Sequence, residues 1–451
     1  MRGQPAREGP TVVVGLGVTG RAVVDALVAH GDRDLVLVDD HPSGEIRRFA
    51  ARHGFEVVGA PDRASSEQLV SSASRVVPTP GLPDAHPIMV AVRRAGTPVV
   101  SEFDLAAGWD ARPLIAVTGT DGKTTVTTMV AEMLAASGRR VALAGNNDTP
   151  LVEAIADPAP ELFVVEASSF RLAHSARFAP MVATWLNFAP DHLDVHAGMD
   201  VYEAAKASIF AHQAPDGVAI TNADDPVVAR YRGRGDAHHL TFSADHGDYR
   251  VEQGWVVTPD GARVVAVDDL SRRAPHDVAN ALAATATAHQ AGADPRSIAG
   301  VLRSFKGLAH RAQVVAEHAG VRYVDDSKAT VPHAVAAAIR GCERVVLIAG
   351  GHNKGLDLGV LVEVADRVRA VVAIGEAAGE IREVFERAGT PVVDAASMDE
   401  AVFAATSLAV GGDTVLLSPG CTSHDWYASF AERGDDFIRA VHALHSGAGA
   451  S

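Results

Sequence analysis

The chain is patterned in alternating blocks. Short runs of Val, Ile, Leu and Ala end in a glycine or polar turn, and longer stretches follow with apolar residues three and four apart. The first pattern is that of a strand buried on both faces, the second that of a helix packed by one face. Strands are expected over residues 11–14, 35–38 and 75–78, with a helix reaching Ala29 after the first. A second series has strands over 114–117, 140–144, 162–165, 182–186 and 217–222, with helices over 126–136 and 202–210. Residues 230–267, rich in glycine and charge, read as a small β appendage, and an Ala-rich helix covers 281–291. A third series places strands over 321–324, 344–348, 371–374 and 414–417. Strand and helix alternating with right-handed crossovers give parallel or mostly parallel sheets. The fold class is α/β.

Size and charge narrow the picture. The 451 residues allow about three domains by length alone. A hydrophobic content of 47% with 21% charged residues is ordinary for a globular chain. The net charge of −16 argues against nucleic acid or an anionic membrane surface as a general partner, so anionic substrates must be met by local cations. Two cysteines, Cys342 and Cys421, support neither a disulfide framework nor a Cys-rich zinc site. The polar start of the chain has no signal-peptide core, and no apolar run approaches the roughly 18 residues that span a bilayer. A cytoplasmic setting is expected.

The strand ends carry the candidate chemistry. Residues 114–117 enter Thr118-Gly119-Thr120-Asp121-Gly122-Lys123-Thr124-Thr125. Gly119 and Gly122 let backbone N–H groups close on an anion, and the next helix adds positive charge at its N-terminus. Lys123 can reach terminal phosphates, and the Thr124 hydroxyl can sit on Mg²⁺. The pattern departs from G-x-x-x-x-G-K-[ST] where Val117 replaces the first glycine. Earlier, Gly15-Leu16-Gly17-Val18-Thr19-Gly20 is a G-x-G-x-x-G turn between two strands, with Asp39 and Asp40 about 20 residues on. NAD is the default ligand of such a turn, yet a nucleotide-sugar diphosphate satisfies the same helix N-terminus. Thr79 and Gly81 fall in a Pro-rich turn, which is as readily structural as functional. Glu166, at a strand end near the phosphate loop, suits either a magnesium-linked acid or a helix cap. Asp191, His192, Asp194 and His196 suggest a metal site of modest specificity. Lys206, judged by its neighbours, is a surface helix lysine.

Taken in order, Gly119–Thr125, Glu166-Ala-Ser-Ser-Phe170, Asn187 with Asp191-His192-Leu193-Asp194, His276 with Asn280, His310-Arg311 and Asp325-Asp326-Ser327-Lys328-Ala329-Thr330 resemble the Mur ligases. These are ATP-dependent amide-forming enzymes of peptidoglycan precursor synthesis. The resemblance covers essentially the whole chain. An N-terminal G-x-G-x-x-G domain with the Asp-Asp-Ser-Lys-Ala-Thr turn and the Leu416-Leu-Ser-Pro-Gly-Cys-Thr-Ser423 segment is most similar to the member that adds D-glutamate to UDP-N-acetylmuramoyl-L-alanine. It implies an N-terminal Rossmann-like domain over 1–101, a central P-loop ATPase-like domain over 102–307 and a C-terminal Rossmann-like domain over 308–451, in a monomer.

The same resemblance implies the ligands. The first domain takes a UDP-sugar rather than NAD, through Gly15, Leu16, Gly17, Val18 and Thr19, with Asp39, Asp40, Thr79, Gly81 and Asn146. ATP is expected on Gly119, Thr120, Asp121, Gly122, Lys123, Thr124 and Thr125, with Asn280 at the base, Arg311 on the phosphates and Asp326 at the ribose or a neighbouring cation. Thr124, Glu166, His192 and a carbamylated Lys206 would hold Mg²⁺ at two sites, with Mn²⁺ a possible substitute. Lys123, His192, Lys206, Arg311 and Lys328 are the catalytic set, and Thr330, Lys354, Ser423 and Phe430 the D-glutamate pocket. Two departures stand out: Asp121 replaces the usual Asn, and Asn147-Asp148 replaces an Ile-Gly pair. The chemistry needs no protein nucleophile, because the substrate carboxylate attacks ATP. Closure near residues 305–309, and around 99–103, would protect the acyl phosphate from water. Another Mur-type or folylpolyglutamate-type ligase is the alternative.

Overall fold

The computed structural model describes residues 8–146, 149–191, 195–353 and 355–447. Its contacts divide the chain into two compact units, Met1–Phe305 and Lys306–Ser451.

Among the described residues, the first unit holds three sheets. Strands β1 (Thr11–Val14), β2 (Leu35–Asp39), β3 (Val57–Gly59) and β4 (Arg75–Pro78) form a parallel sheet in the order β3-β2-β1-β4. Every residue of β1 is buried, as its unbroken Thr-Val-Val-Val run requires. β1 lies between β2 and β4, so chain direction across the sheet switches at its carboxyl end, where Gly15 begins the glycine turn. Open parallel sheets bind ligands at that switch point.

Strands β5 (Leu114–Thr118), β6 (Val141–Gly145), β7 (Leu162–Glu166), β8 (Val182–Trp185), β9 (Val218–Asn222) and β10 (His238–Phe242) form the second sheet, ordered β10-β9-β8-β5-β7-β6 and wholly parallel. Here β5 sits at the switch, between β8 and β7. Val117 pairs with Glu166 and Thr118 with Trp185, so the phosphate loop, the acid and the start of the 187–196 segment leave one sheet edge together. β5 and β7 are buried throughout. Burying one such Val or Leu contributes about 1.5–3 kcal/mol, so a charge at Val117 would break the strand and the loop it carries. A small antiparallel sheet, β11 (Arg250–Glu252), β12 (Trp255–Val257) and β13 (Arg263–Ala266), completes the unit.

The second unit is one sheet, β14-β15-β19-β16-β17-β18, from β14 (Gln313–His318), β15 (Val321–Asp325), β16 (Val345–Gly350), β17 (Val368–Ile374), β18 (Val392–Asp394) and β19 (Thr414–Gly420). All pairings are parallel except β14 with β15. β19 lies between β15 and β16, placing the 325–330 turn, the 350–353 turn and the 421–423 segment at one end.

Several boundaries differ from the sequence expectation. The phosphate-loop helix is Lys123–Ala136, so Lys123 is its first residue. The Ala-rich helix is Pro275–Gln290, which places His276 and Asn280 inside it, because Pro suits a first helical turn. β10, taken as part of the appendage, instead joins the central sheet beside β9; its His-His start masks the strand pattern. No helix among the described residues is long and apolar enough to cross a membrane.

Candidate active site

The phosphate loop is held by the next strand end. Asn187 Oδ1 accepts from the N–H groups of Thr120 and Asp121, both at 2.9 Å, and its Nδ2 donates to Asp121 O at 3.1 Å. One side-chain amide thus sets three loop groups. Gly122 has φ +81°, and a Cβ there would lie 2.6 Å from Asn280 Oδ1, so the loop closes onto the Pro275–Gln290 helix. Lys123 Nζ donates to Gly119 O at 3.0 Å and Thr120 O at 2.8 Å, which holds the ammonium over the loop. Beside it, a small pocket is lined by Thr125, Met129, Ser271, Arg272, Asn280 and Phe305, among others. Its lining mixes apolar side chains with a few polar groups at the side of the phosphate loop. Arg272 and Asp277, joined at 2.9 Å, form one wall.

The acid lies one strand over. Glu166 is buried; its Oε1 accepts from Asn146 Nδ2 at 2.9 Å, while its Oε2 is buried with no hydrogen-bond partner. A buried carboxylate oxygen without a donor is costly in a bare protein and suited to a cation. Among the described residues, no three His, Cys, Asp or Glu side chains gather to hold a metal. Lys206 lies on the helix Met199–Ala207 and is 1% exposed. Its Nζ donates to Gly119 O at 2.6 Å and lies 4.7 Å from the Tyr202 ring centre. Burial, reinforced by nearby Lys123 and opposed by Asp191 and Asp121, brings its pKa down to about 7. Tyr202, whose pKa burial pushes up to about 12, shares a hydrogen bond with Thr120 Oγ1 at 3.2 Å.

In the glycine turn of the first sheet, Gly15 has φ +84° and lies so close to Thr79 that a Cβ would meet Thr79 Oγ1 at 2.2 Å. Asp39 Oδ2 accepts from Leu16 N at 2.7 Å and its Oδ1 from His41 N at 3.0 Å. In an NAD site that acid would face a ribose; here both oxygens take backbone donors and brace the turn. Asp40 lies 3.1 Å from His86 Nε2. Gly81, at φ +87°, ends the turn after β4, and Thr19 lies in the first turn of the helix Val18–Ala29. Asn146, expected near the sugar, donates from Nδ2 to Glu166 Oε1 at 2.9 Å.

In the second unit, Asp325 is fully buried, with Oδ2 2.7 Å from His310 Nδ1 and Oδ1 accepting from Ser327 N at 2.9 Å. Asp326 accepts from Ala312 N at 3.1 Å and from Ser418 Oγ at 2.9 Å; burial raises its pKa to about 6, against the pull of Arg311. Lys328 Nζ is 4.0 Å from the Phe430 ring centre. Arg433, 1% exposed, donates to Ser327 Oγ at 3.0 Å, Ser327 O at 2.9 Å and Cys421 O at 3.1 Å, and burial lowers its pKa to about 10. Ser327 Oγ in turn donates to Phe430 O at 2.7 Å. The guanidinium therefore ties together the turn carrying Lys328 and Thr330, the segment carrying buried Ser423, and the start of the Phe430–Gly447 helix.

Residues 117–288 match the Mur ligase middle domain and residues 310–421 the Mur ligase glutamate ligase domain. The UDP-N-acetylmuramoylalanine–D-glutamate ligase of Frankia casuarinae is 43% identical over 448 residues, covering 96% of this chain and 94% of that protein. The chain belongs to the Mur ligase family. The corresponding ligase of Pelotomaculum thermopropionicum is 39% identical, with 97% and 98% covered. Among solved structures, the UDP-N-acetylmuramate–alanine ligase of Thermotoga maritima has a TM-score of 0.54 at 19% identity, covering 97% of this chain and 100% of that one. The MurF structure from Acinetobacter baumannii also gives 0.54, at 20% identity, with 96% and 92% covered. Both likenesses speak to the fold.

Within this Mur ligase, the first unit brings Gly119 to Thr125, Asn280, Lys206 and, one strand over, Glu166 to one sheet edge, and the second gathers Asp326, Lys328, Ser423 and Phe430 at another. His192, Asp194, Lys354 and Asn147-Asp148 lie outside the described residues. Three positions had escaped the sequence reading: Arg171, Arg433 and the loop-bracing role of Asn187. Arg171 directly follows the Glu166–Phe170 motif, and Arg433 comes nearly one helical turn after Phe430, so adjacency to a motif was the available signal.

Proposed function

We infer that the chain is an ATP-dependent ligase that joins D-glutamate to UDP-N-acetylmuramoyl-L-alanine in cytoplasmic peptidoglycan precursor synthesis. The full-length relationship to D-glutamate ligases carries this reading. The acceptor carboxylate oxygen attacks the γ-phosphorus, the bond to ADP breaks, and an acyl phosphate forms. The D-glutamate amine then attacks the acyl carbon, inorganic phosphate leaves, and the amine loses a proton.

The protein supplies positioning and charge. Lys123 and Arg311 serve the phosphates, Lys328 the acyl phosphate, Asn280 the base and Asp326 the ribose. Thr330, Lys354, Ser423 and Phe430 form the D-glutamate pocket. Gly15 to Thr19, Asp39, Asp40, Thr79, Gly81 and Asn146 take the UDP-sugar, and Asp39 also braces the glycine turn through its bond from Leu16 N. Residues 1–101, 102–307 and 308–451 are its three domains, and the enzyme acts as a monomer.

The unpartnered Glu166 Oε2 fits Mg²⁺, which Thr124, Glu166, His192 and Lys206 would hold at two sites, with Mn²⁺ as a substitute. When bound, the metal neutralises phosphate charge as the carboxylate approaches. Lys206 takes part as a carbamate. A pKa near 7 leaves a large share of its amine neutral at physiological pH, which is the form that attacks CO₂. Nitrogen bonds to carbon, a proton leaves, and a buried cation becomes an anion.

The test is phosphate release with UDP-N-acetylmuramoyl-L-alanine across candidate amino acids. D-glutamate is expected to support turnover with more than hundredfold preference over L-glutamate, since inversion leaves pocket groups unpaired. Absence of release with D-glutamate, or equal use of both enantiomers, overturns the assignment. A folate acceptor supporting turnover would favour the polyglutamate alternative.

A further inference from the structure

Arg171 lies on the short helix Ser169–Leu172 just after β7, and is 8% exposed. One arm, Nη1, donates to Glu102 Oε2 at 2.6 Å; Glu102 is itself 3% exposed, and its other oxygen accepts from Val152 N at 3.0 Å. The other arm, Nη2, donates to Thr19 Oγ1 at 3.1 Å, and the Phe103 ring packs against the guanidinium with its centre 5.7 Å away. The phosphate-loop sheet thus grips a residue of the glycine turn in the first sheet, 152 positions earlier in sequence.

The direction of that bond is settled by chemistry. A guanidinium only donates, so Thr19 Oγ1 is the acceptor, and its single hydrogen remains to be given to something else. Thr19 stands in the first turn of a helix whose N-cap, Gly17, offers no side-chain cap and whose first turn has no acidic residue. Such a terminus favours an anion, and a hydroxyl already accepting from a cation is a stronger donor to it. Glu102 balances the charge of Arg171, so its effect is orientation of one hydroxyl and not a diffuse attraction. Glu102 cannot swing away, because it is buried and bonded to Val152.

We propose that Arg171 is a positioning residue for the acceptor: braced by Glu102, it turns the Thr19 hydroxyl to donate to the diphosphate of the UDP-sugar. This rests on the reading that the glycine turn takes the UDP-sugar.

Replacing Arg171 alone strands a buried carboxylate, so the informative variant is the neutral pair Arg171→Gln with Glu102→Gln, set beside Thr19→Val and the triple variant. The measurements are KM for UDP-N-acetylmuramoyl-L-alanine, ATP and D-glutamate. Thr19→Val and the neutral pair are each expected to raise the acceptor KM at least tenfold, with the other two KM values within twofold. The triple variant is expected to be no worse than Thr19→Val, because both changes remove one donor. An acceptor KM unchanged in the neutral pair but raised in Thr19→Val overturns the role of Arg171 and leaves the site reading intact. An unchanged KM in Thr19→Val overturns both. A parallel rise in all three KM values, or multiplicative effects in the triple variant, shows mere structural damage and refutes the proposal.

Discussion

Lys206 illustrates what single residues disclose and conceal. Its neighbours Ala204 and Ala205 read as one face of a surface helix, and nothing in that spacing announces a lysine 1% exposed. Only resemblance to the Mur ligases marked it. The structure supplies the physical reason: Tyr202, Ala205 and Lys206 form the buried face, and the ammonium is held by one loop carbonyl in a site that burial makes unfavourable to charge. Glu166 is the opposite case, since an acid closing a buried apolar run was visible as chemistry before its unpaired oxygen was seen. Native mass spectrometry of the protein kept in bicarbonate is expected to show the added mass of one CO₂, absent from Lys206→Ala. Removing CO₂ should lower phosphate release, and bicarbonate should restore it. Normal activity in Lys206→Arg, which keeps the cation and cannot carry the carbamate, refutes the role.

At the scale of elements, most central strands were legible, because a strand covered on both faces is an unbroken apolar run bounded by glycine or acid. β5, β7, β16 and β19 follow that rule. Short or edge strands do not. β3 and β18 have three residues each and are half open to solvent, and β14 alternates weakly because it is the antiparallel edge. The glycine loops were legible as phosphate cradles, but the reason each glycine is required lay in distant residues. Gly122 must lack a Cβ because Asn280, 158 positions later, occupies that space. Gly122→Ala would combine a left-handed φ of +81° with that contact, at a cost of order 1–3 kcal/mol. The loop would relax by moving off Asn280, and the phosphate-binding N–H groups would shift with it. KM for ATP is therefore expected to rise tenfold or more, while KM for the acceptor changes less than twofold. Steady-state kinetics decide this, and equal increases in both would mean the whole unit has loosened.

For the whole molecule, the problem is that every substrate is an anion and the chain carries a net charge of −16. Long-range attraction cannot gather ATP, a UDP-sugar and glutamate; a few cations placed at sheet edges must. Those cations are separable from the fold only where they are not part of its packing. In the first unit a single apolar cluster runs from Val13 and Leu37 of the first sheet, through Phe103 and Leu105, to Ala116 and Phe163 of the second. That apolar cluster holds the two ligand turns in one body, and Lys123 donates to carbonyls of its own loop. Arg171, by contrast, is built into the connection between the sheets, which is why its test needed a compensating change. Lys123→Ala is therefore expected to keep its melting temperature within a few degrees of the parent and to bind UDP-N-acetylmuramoyl-L-alanine within twofold of normal affinity. Phosphate release should fall by about 10³-fold or more, the scale seen when a phosphate-clamping cation is lost. Calorimetry with the acceptor, run beside the phosphate assay, separates the two quantities. If affinity for the acceptor fell in proportion to activity, the glycine turn and the phosphate loop would be one site, and the assignment of one sheet edge to each ligand would be wrong.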